Sequence, residues 1–543
     1  MKRSYIYLIA FWLVAFTTCK QAPPVTQSVD AWYKHLLIYN LDVKTFKDSD
    51  GDGEGDFNGL TKKLSYLQSL GVNTIWLAPF QPSPLQDDGY DVIDYTGIDP
   101  KLGGTAGFKK FMAAAKAKNI KVIMDIILNH TSNQHPWFKA AIRDTNSPKH
   151  NWYVWSSKKP RDWDKGIGFP GVEKEVWRYE PTARQYYFHR FYKFQPDLNY
   201  QNPAVVAEVE RILSYWLSLG MDGFRLDAVP FTIDDPRQDA AKPRFDFNVL
   251  HQLSLFVKKL KPEALLLGEA NVEPKENQKY FGENHNGLDM MFNFYANQYL
   301  FYGLATGNIT SFKEALDKTK AKPGKAQWAW FLRNHDEIDL GRLSKGDLKE
   351  VYKKMAPVPS MQLYQRGIRR RLATMLNGDM KRLKMAYSLL YSLPGTPVIR
   401  SGEEIGMGDD LSLKERLAVR TPMQWDTSSN GGFTTGKPFR PVISYGEYGY
   451  KTVNVAVGWR NENSLLKFIQ QIIKLRKAYP EIDNGEWLII DEGNEHVLVL
   501  QYTDKRRTVI IAHNFSDEPK EVKLPHGQTL KIGGYGFKWL RLN

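Results

Sequence analysis

One cysteine, Cys19, is the entire thiol content of this 543-residue chain. An intrachain disulfide is therefore impossible, and thiolate metal clusters and dithiol redox chemistry are excluded. Stability has to come from the packed core, helped at most by an oxygen-ligated metal. Long apolar runs are scarce too: the notable one, from Tyr5 to Phe16, is shorter than the roughly 20 residues a membrane-spanning helix needs. The chain also lacks a Ser-His-Asp order, a zinc-ligand spacing and a phosphate-cradling glycine loop. Blocks of one charge sign are few. The 74 basic and 60 acidic residues leave a formal charge of +14, yet the lysines and arginines are spread along the chain, with one run at Arg369, Arg370 and Arg371. A nucleic-acid module would gather them into a stripe, so nucleic acid is not an expected partner. A solvated basic surface is the plain reading, and it is compatible with attraction to an anionic membrane.

What is present starts with Lys2 and Arg3 ahead of the apolar run, which then meets Thr17, Thr18 and Cys19. These are the n- and h-regions of an export signal. A sole cysteine just behind an h-region resembles a bacterial lipoprotein cleavage site. That predicts a signal peptide over residues 1–19, a lipid on Cys19, a polar tether over residues 20–31, and a place in the cell envelope or periplasm. An ordinary signal peptide with an incidental cysteine is the alternative.

Residues 32–479 alternate strand and helix. Short apolar runs at 36–39, 74–78, 121–126, 223–227, 265–269, 329–334 and 397–400 read as strands, and amphipathic stretches at 60–70, 107–118, 205–219 and 383–393 as helices. Strands this continuously apolar belong to a parallel sheet buried on both faces. The expected class is α/β, a (β/α)8 TIM barrel. About residues 131–201, carrying Trp137, Trp152, Trp155, Trp163 and Trp177, are too many for a structureless loop and predict an inserted subdomain after the third strand. From 480 to 543 the period changes to two, which predicts a C-terminal antiparallel β-sandwich domain.

Polar residues gather where the apolar strands end: Asp125, Asn129 and His130; Arg225 and Asp227; Glu269; and Asn334, His335 and Asp336. A single such carboxylate reads as a satisfied core group. Several, each at the C-terminal end of a barrel strand, make an active site. Retaining glycoside cleavage needs one carboxylate as nucleophile and another, of raised pKa, as proton donor. Arg225 lies two residues from Asp227, on the same strand face, and its charge is expected to lower the pKa of Asp227. Asp336, His130 and His335 would then orient sugar hydroxyls. Separately, Asp48, Asp50, Asp52 and Asp56 alternate with glycines, with Glu54 among them, much as in an EF-hand loop. The donors suit Ca2+ or Mg2+, against the plainer reading of a solvated Gly/Asp turn. No organic cofactor is expected.

The stretches 125–130 (DIILNH), 223–229 (GFRLDAV), 268–270 (GEA) and 331–336 (FLRNHD) resemble, in order, the four signature regions of the α-amylase superfamily. The resemblance implies Asp227 as nucleophile, Glu269 as acid/base and Asp336 as stabiliser of the transition state. It also implies a structural Ca2+ in the 48–56 loop. QPDLN at 195–199 is similar to the α-glucosidase side of the superfamily. HPWF at 135–138, LPGTPV at 393–398, GEEIGMGDD at 402–410 and VRTPMQW at 419–425 are similar to the trehalose synthases within it. By that likeness Asp87, Tyr90 and Arg420 close around the non-reducing end of a small α-glucoside, and the reaction is isomerisation of maltose to trehalose. Departures at Asn40 and at 286–290 leave an exported hydrolytic α-glucosidase as the alternative. An inactive sugar-binding protein on the same fold is a third reading, although Asp227, Glu269 and Asp336 are all retained.

Overall fold

The computed structural model describes residues 31–543 except 238, 284–285, 491–492, 506, 525–526 and 543. The expected signal peptide, Cys19 and nearly all of the tether lie outside the described residues. From Trp32 onward the chain forms one compact unit.

Eight strands close into a barrel: β1 (Ile38–Leu41), β2 (Thr74–Leu77), β3 (Lys121–Ile126), β4 (Gly223–Leu226), β5 (Leu265–Gly268), β6 (Met290–Phe292), β7 (Gln327–Phe331) and β8 (Thr396–Arg400). Each pairs in parallel with its sequence neighbours, and β8 closes on β1. Nearly all of their residues are buried, because side chains pointing inward fill the barrel while those pointing outward meet helices. Seven strands match the apolar runs. The eighth, β6, is only three residues long, too short for any periodicity to show. The helix before β2, Phe57–Leu70, starts at Asp56, whose side chain accepts from the Gly59 amide. It stops at Gly71, whose φ of +100° is open to glycine at little cost.

Excursions at the C-terminal end of the barrel roof the site. After β3 come the helix Pro136–Arg143 and a three-stranded antiparallel sheet with Gln185–Phe188 at its centre. Trp177 and Phe188 pack there with Val154 and Val176 as a small separate core, which a segment of this length needs if its backbone is to be ordered. After β7 come the helix Lys345–Met355 and a small sheet of two-residue strands.

The chain ends in a four-stranded antiparallel sheet, β9 (Glu486–Ile489), β10 (Val497–Asp504), β11 (Arg507–Asn514) and β12 (Phe537–Leu542), plus a hairpin of Lys520–Lys523 and Thr529–Ile532. Alternation divides the work of its two faces. Val497, Val499, Ile510 and Ala512 pack on Val522 and Ile532 of the hairpin, completing the sandwich. The opposite face meets the barrel: Tyr502 Oη donates to Ser392 O (2.5 Å), and His513 Nε2 lies 3.0 Å from Ser388 Oγ.

Candidate active site

Asp227 and Glu269 sit one residue past the ends of β4 and β5, held by the barrel backbone. The Asp227 amide donates to Ile126 O (3.2 Å) and the Glu269 amide to Leu226 O (3.0 Å). A Cβ on Gly268 would lie 2.3 Å from Leu288 Cδ1, so a larger residue at the end of β5 would have to displace that buried side chain. Arg225 is the hub. Its Nη1 lies 2.9 Å from Asp125 Oδ1 and 2.5 Å from Asp227 Oδ1, and its Nη2 is 2.9 Å from Glu269 Oε2. Ala228, at a left-handed φ of +49°, turns its amide onto the same Glu269 oxygen at 3.0 Å.

Asp336 lies five residues beyond β7, on a loop rather than at the strand end that the apolar run suggested. Arg416 Nη1 (2.8 Å), Arg420 Nη2 (3.0 Å) and His335 Nε2 (2.9 Å) hold it. Arg416 continues to Asp87 at 2.5 Å, and Gln195 Nε2 donates to the other Asp87 oxygen at 3.0 Å. Tyr90 stacks on His335, donates to Asp125 Oδ2 (3.0 Å), and presents its carbonyl to His130 Nε2 (3.0 Å).

Burial and charge set the protonation order of the three carboxylates. Burial raises Glu269 to about 7; Arg225 opposes this, while the charges of Asp227 and Asp336 add to it. Burial likewise raises Asp227 to about 6. Arg225 pulls Asp227 down as expected, but the loss of water outweighs it, so the net shift is upward and corrects the expectation. Burial also acts on Asp336, yet its partners hold it well below the usual carboxylate range. His335 is itself pushed down to about 3 by burial and is neutral. The two guanidiniums and the hydrogen bond from His335 therefore carry that effect. Burial keeps His130 neutral as well, at about 4. At neutral pH the stabilising carboxylate is firmly ionised, and the two reacting carboxylates bracket a narrow range. A nucleophile–acid pair needs that arrangement.

These groups open into a cavity of about 530 Å3, within the range for small-molecule sites. Asp87, Tyr90, His130, Asp227, Glu269 and Asp336 line it. Arg225, His335 and Arg420 do not. Arg225 and His335 lie beneath the lining. Arg420, 3% exposed, is spent on Asp88, Asp336 and the His335 carbonyl. Arg190, Arg366 and Arg416 reach the cavity, and of the two arginines on Asp336 it is Arg416, which the sequence reading passed over, that does so; its one sequence signal is its position four residues ahead of Arg420. Phe169, Phe191, Phe231 and Phe294 supply apolar walls. Arg416 packs over the Phe169 ring, and Phe169 stacks on Tyr364. Tyr364 and Tyr192 both donate to Glu415, tying the inserted segment to the two loops that flank Arg416.

Of the five residues expected to hold a metal, Asp48, Asp50 and Asp56 converge, with ligand oxygens within 4.8 Å of one another. Asp52 and Glu54 are not among them. Glu54 Oε1 faces Lys101 at 2.7 Å, while its other oxygen is buried without a hydrogen-bond partner. The Asp52 amide pulls Asp50 down, but burial and the neighbouring carboxylates raise it overall. Such crowding fits a divalent cation with hard oxygen donors.

A closed parallel barrel with converging carboxylates of graded pKa at its C-terminal mouth defines a glycoside-cleaving enzyme of the retaining type. The family described as "Alpha amylase, catalytic domain" matches residues 40–370 and 368–485, and the chain belongs to the alpha-amylase family. It is thus a glycoside hydrolase or transglycosylase, and the reading as an inactive binding protein falls. It is 36% identical to the trehalose synthase/amylase TreS of Mycobacterium tuberculosis, over 94% of this chain and 90% of that one. It is 30% identical to an oligo-1,6-glucosidase of Parageobacillus thermoglucosidasius, over 91% and 92%. The trehalulose synthase MutB of Pseudomonas mesoacidophila MX-45 superposes with a TM-score of 0.78 at 25% identity, over 94% of this chain and 99% of that one.

Proposed function

We propose that the chain interconverts maltose and trehalose by retaining transglucosylation inside a closed pocket. Asp227 attacks the anomeric carbon while Glu269 gives its proton to the departing glycosidic oxygen, leaving a glucosyl-enzyme and a free glucose. Glu269, now a base, takes the proton of that glucose's anomeric hydroxyl. The oxygen displaces Asp227 and forms the 1,1-linkage. Asp336 stays ionised through both steps and stabilises the oxocarbenium-like transition states. The observation that carries the proposal is the Asp87–Arg416–Asp336 chain of ion pairs at one side of the cavity, together with the Tyr192–Glu415–Tyr364 tie across its roof. The first gives a blind end for one glucose, and the second keeps a freed glucose from exchanging with water. The naming of its relatives as trehalose synthases supports the same reading.

The test is incubation of the protein with maltose and excess 13C-labelled free glucose, followed by proton and carbon NMR. Trehalose that appears ahead of free glucose and carries little label supports the enclosed transfer. Glucose alone, released first as the α-anomer, makes the enzyme an exported hydrolytic α-glucosidase instead.

Three further parts of this proposal stand on the sequence and the acidic loop. Ca2+ bound by Asp48, Asp50 and Asp56 would brace the loop that caps the Phe57–Leu70 helix. The first 19 residues direct export, and Cys19 carries a lipid that keeps the protein at the cell envelope. Loss of labelled-palmitate incorporation in a Cys19→Ser chain tests that anchor.

A further inference from the structure

The lysines are not spread evenly in space. The connections that feed the eight strands from the N-terminal end of the barrel, residues 32–37, 68–73, 116–121, 217–222, 258–264, 282–289, 317–326 and 391–395, carry eleven lysines and five acidic residues. Four of the eleven are ion-paired, with Asp222, Asp289 and Glu314. Lys116, Lys259, Lys320 and Lys325 are exposed. Burial, with a further contribution from the charge of Lys34, lowers Lys322 to about 8. Leu260 stands between Lys259 and Lys261 and is 47% exposed. The cavity at the opposite end of the barrel is lined by six acidic residues and three arginines. The base of the barrel is therefore net positive, whereas the lining of the cavity is net negative.

The compact unit also begins on the positive face. The turn Trp32–His35 lies across it: Trp32 Nε1 donates to Glu263 O (2.8 Å), Tyr33 Oη donates to Lys325 O (2.9 Å), and Lys121 Nζ sits over the Trp32 ring. Cys19 is separated from Trp32 by thirteen residue steps, at most about 45 Å of extended chain.

We infer that the N-terminal face of the barrel docks on an anionic phospholipid surface and turns the active-site mouth outward. Lysines on flexible stems meet acidic headgroups, each adding roughly 1 kcal/mol near such a surface, and Leu260 enters the headgroup boundary between two of them. The start of the compact unit at Trp32 on this same face favours this pose over the inverted one. The inference extends the envelope reading above but does not need the lipid: headgroup attraction and a covalent anchor are separate contributions, and stable attachment usually takes both.

Because residues 32–543 form one compact unit, the test uses soluble, unlipidated protein from Lys20 onward. It is sedimented with vesicles of phosphatidylcholine alone or with about 30% phosphatidylglycerol as the anionic lipid. Co-sedimentation with the anionic vesicles only, lost at high salt, is expected. The triple variant Lys259→Glu, Lys320→Glu, Lys325→Glu should weaken it by roughly a hundredfold with turnover unchanged. The equally charged control Lys345→Glu, Lys349→Glu, Lys353→Glu on the mouth-side helix Lys345–Met355 should bind as the parent does. No binding to anionic vesicles, or equal loss in both triple variants, overturns the inference. A cell-made chain without lipid on Cys19 would end the anchoring reading alone.

Discussion

Replacing Arg416 by methionine keeps the length and most of the volume of the side chain and removes its charge. Two carboxylates lose a partner, at 2.8 Å and 2.5 Å, but unequally. Asp336 keeps Arg420 and His335, whereas among the described residues Asp87 keeps only the Gln195 amide as a direct side-chain partner. Asp87 already has a pKa raised by burial, against the pull of Arg416. Without that guanidinium its pKa rises further. Leaving one partner of a buried pair alone costs about 3–5 kcal/mol. Protonation relieves the cost at low pH, so the stability deficit should be smallest there, grow as pH rises from the Asp87 pKa of the parent towards the higher one of the variant, and level off above it. In a unit of this size a loss of 3 kcal/mol lowers Tm by roughly 3 °C. Turnover should suffer more. The blind end of the pocket loses its bridge, and kcat/KM for maltose should fall by about 10^2–10^3. The assays are thermal melts between pH 5 and 8 and initial rates by coupled glucose and trehalose detection. Sugar contact thus falls to Arg416 and support to Arg420. An Arg416→Met enzyme with near-parental kcat/KM, or an Arg420→Lys change that costs more activity than losing the Arg416 guanidinium altogether, would refute that division.

The graded carboxylates predict a narrow bell in kcat/KM, with an ascending limb near pH 6 as Asp227 ionises and a descending limb near 7 as Glu269 loses its proton; a flat profile from 5 to 9 would remove the pair from these roles. Asp227→Asn should abolish turnover and leave the fold intact. Because the Asp227 pKa is raised from about 4 unfolded to about 6 folded, stability is lost as pH rises across that interval, so the variant should gain about 2–3 kcal/mol over the parent above pH 6, roughly half of that at pH 5 and almost none at pH 3. Tyr364→Phe removes one bond of the roof tie and should raise the ratio of glucose to trehalose about fivefold, for roughly 1 kcal/mol lost; an unchanged ratio would mean that the tie does not govern water entry. Chelation should lower Tm by a few degrees, reversed by Ca2+, and Asp48→Asn should abolish that response.

The barrel and its three carboxylates were legible in the sequence because buried parallel strands are continuous apolar runs, and a charged residue closing such a run stands out. Strand β6 was not, since Met290–Phe292 offers no period and carries no charged residue. The position of Asp336 was read as a strand end because Leu332 prolongs the apolar run of β7; the backbone leaves the sheet at Phe331, and the buried Leu332 hid the boundary. Arg416 and Arg420 were indistinguishable by type, and only packing decides which guanidinium faces the cavity. The sign of the Asp227 shift escaped for a related reason: a neighbouring arginine is visible in sequence, whereas the depth of burial that outweighs it belongs to the fold. The clustering of lysines at one end of the barrel is invisible along the chain, because their segments are dispersed from one end of the barrel sequence to the other until closure brings them to one rim.

Ala228 links the two reacting groups through a single peptide. It follows the nucleophile directly, and its amide holds the acid/base, but only because its backbone adopts a conformation that costs an alanine about 1 kcal/mol. Glycine would relieve that cost and would also free the peptide to rotate, so the distance between attack and proton delivery would widen its distribution. A chain selected for heat resistance and one selected for fidelity of transfer should therefore part ways at this position, the first accepting glycine and the second keeping a side chain that the backbone does not favour.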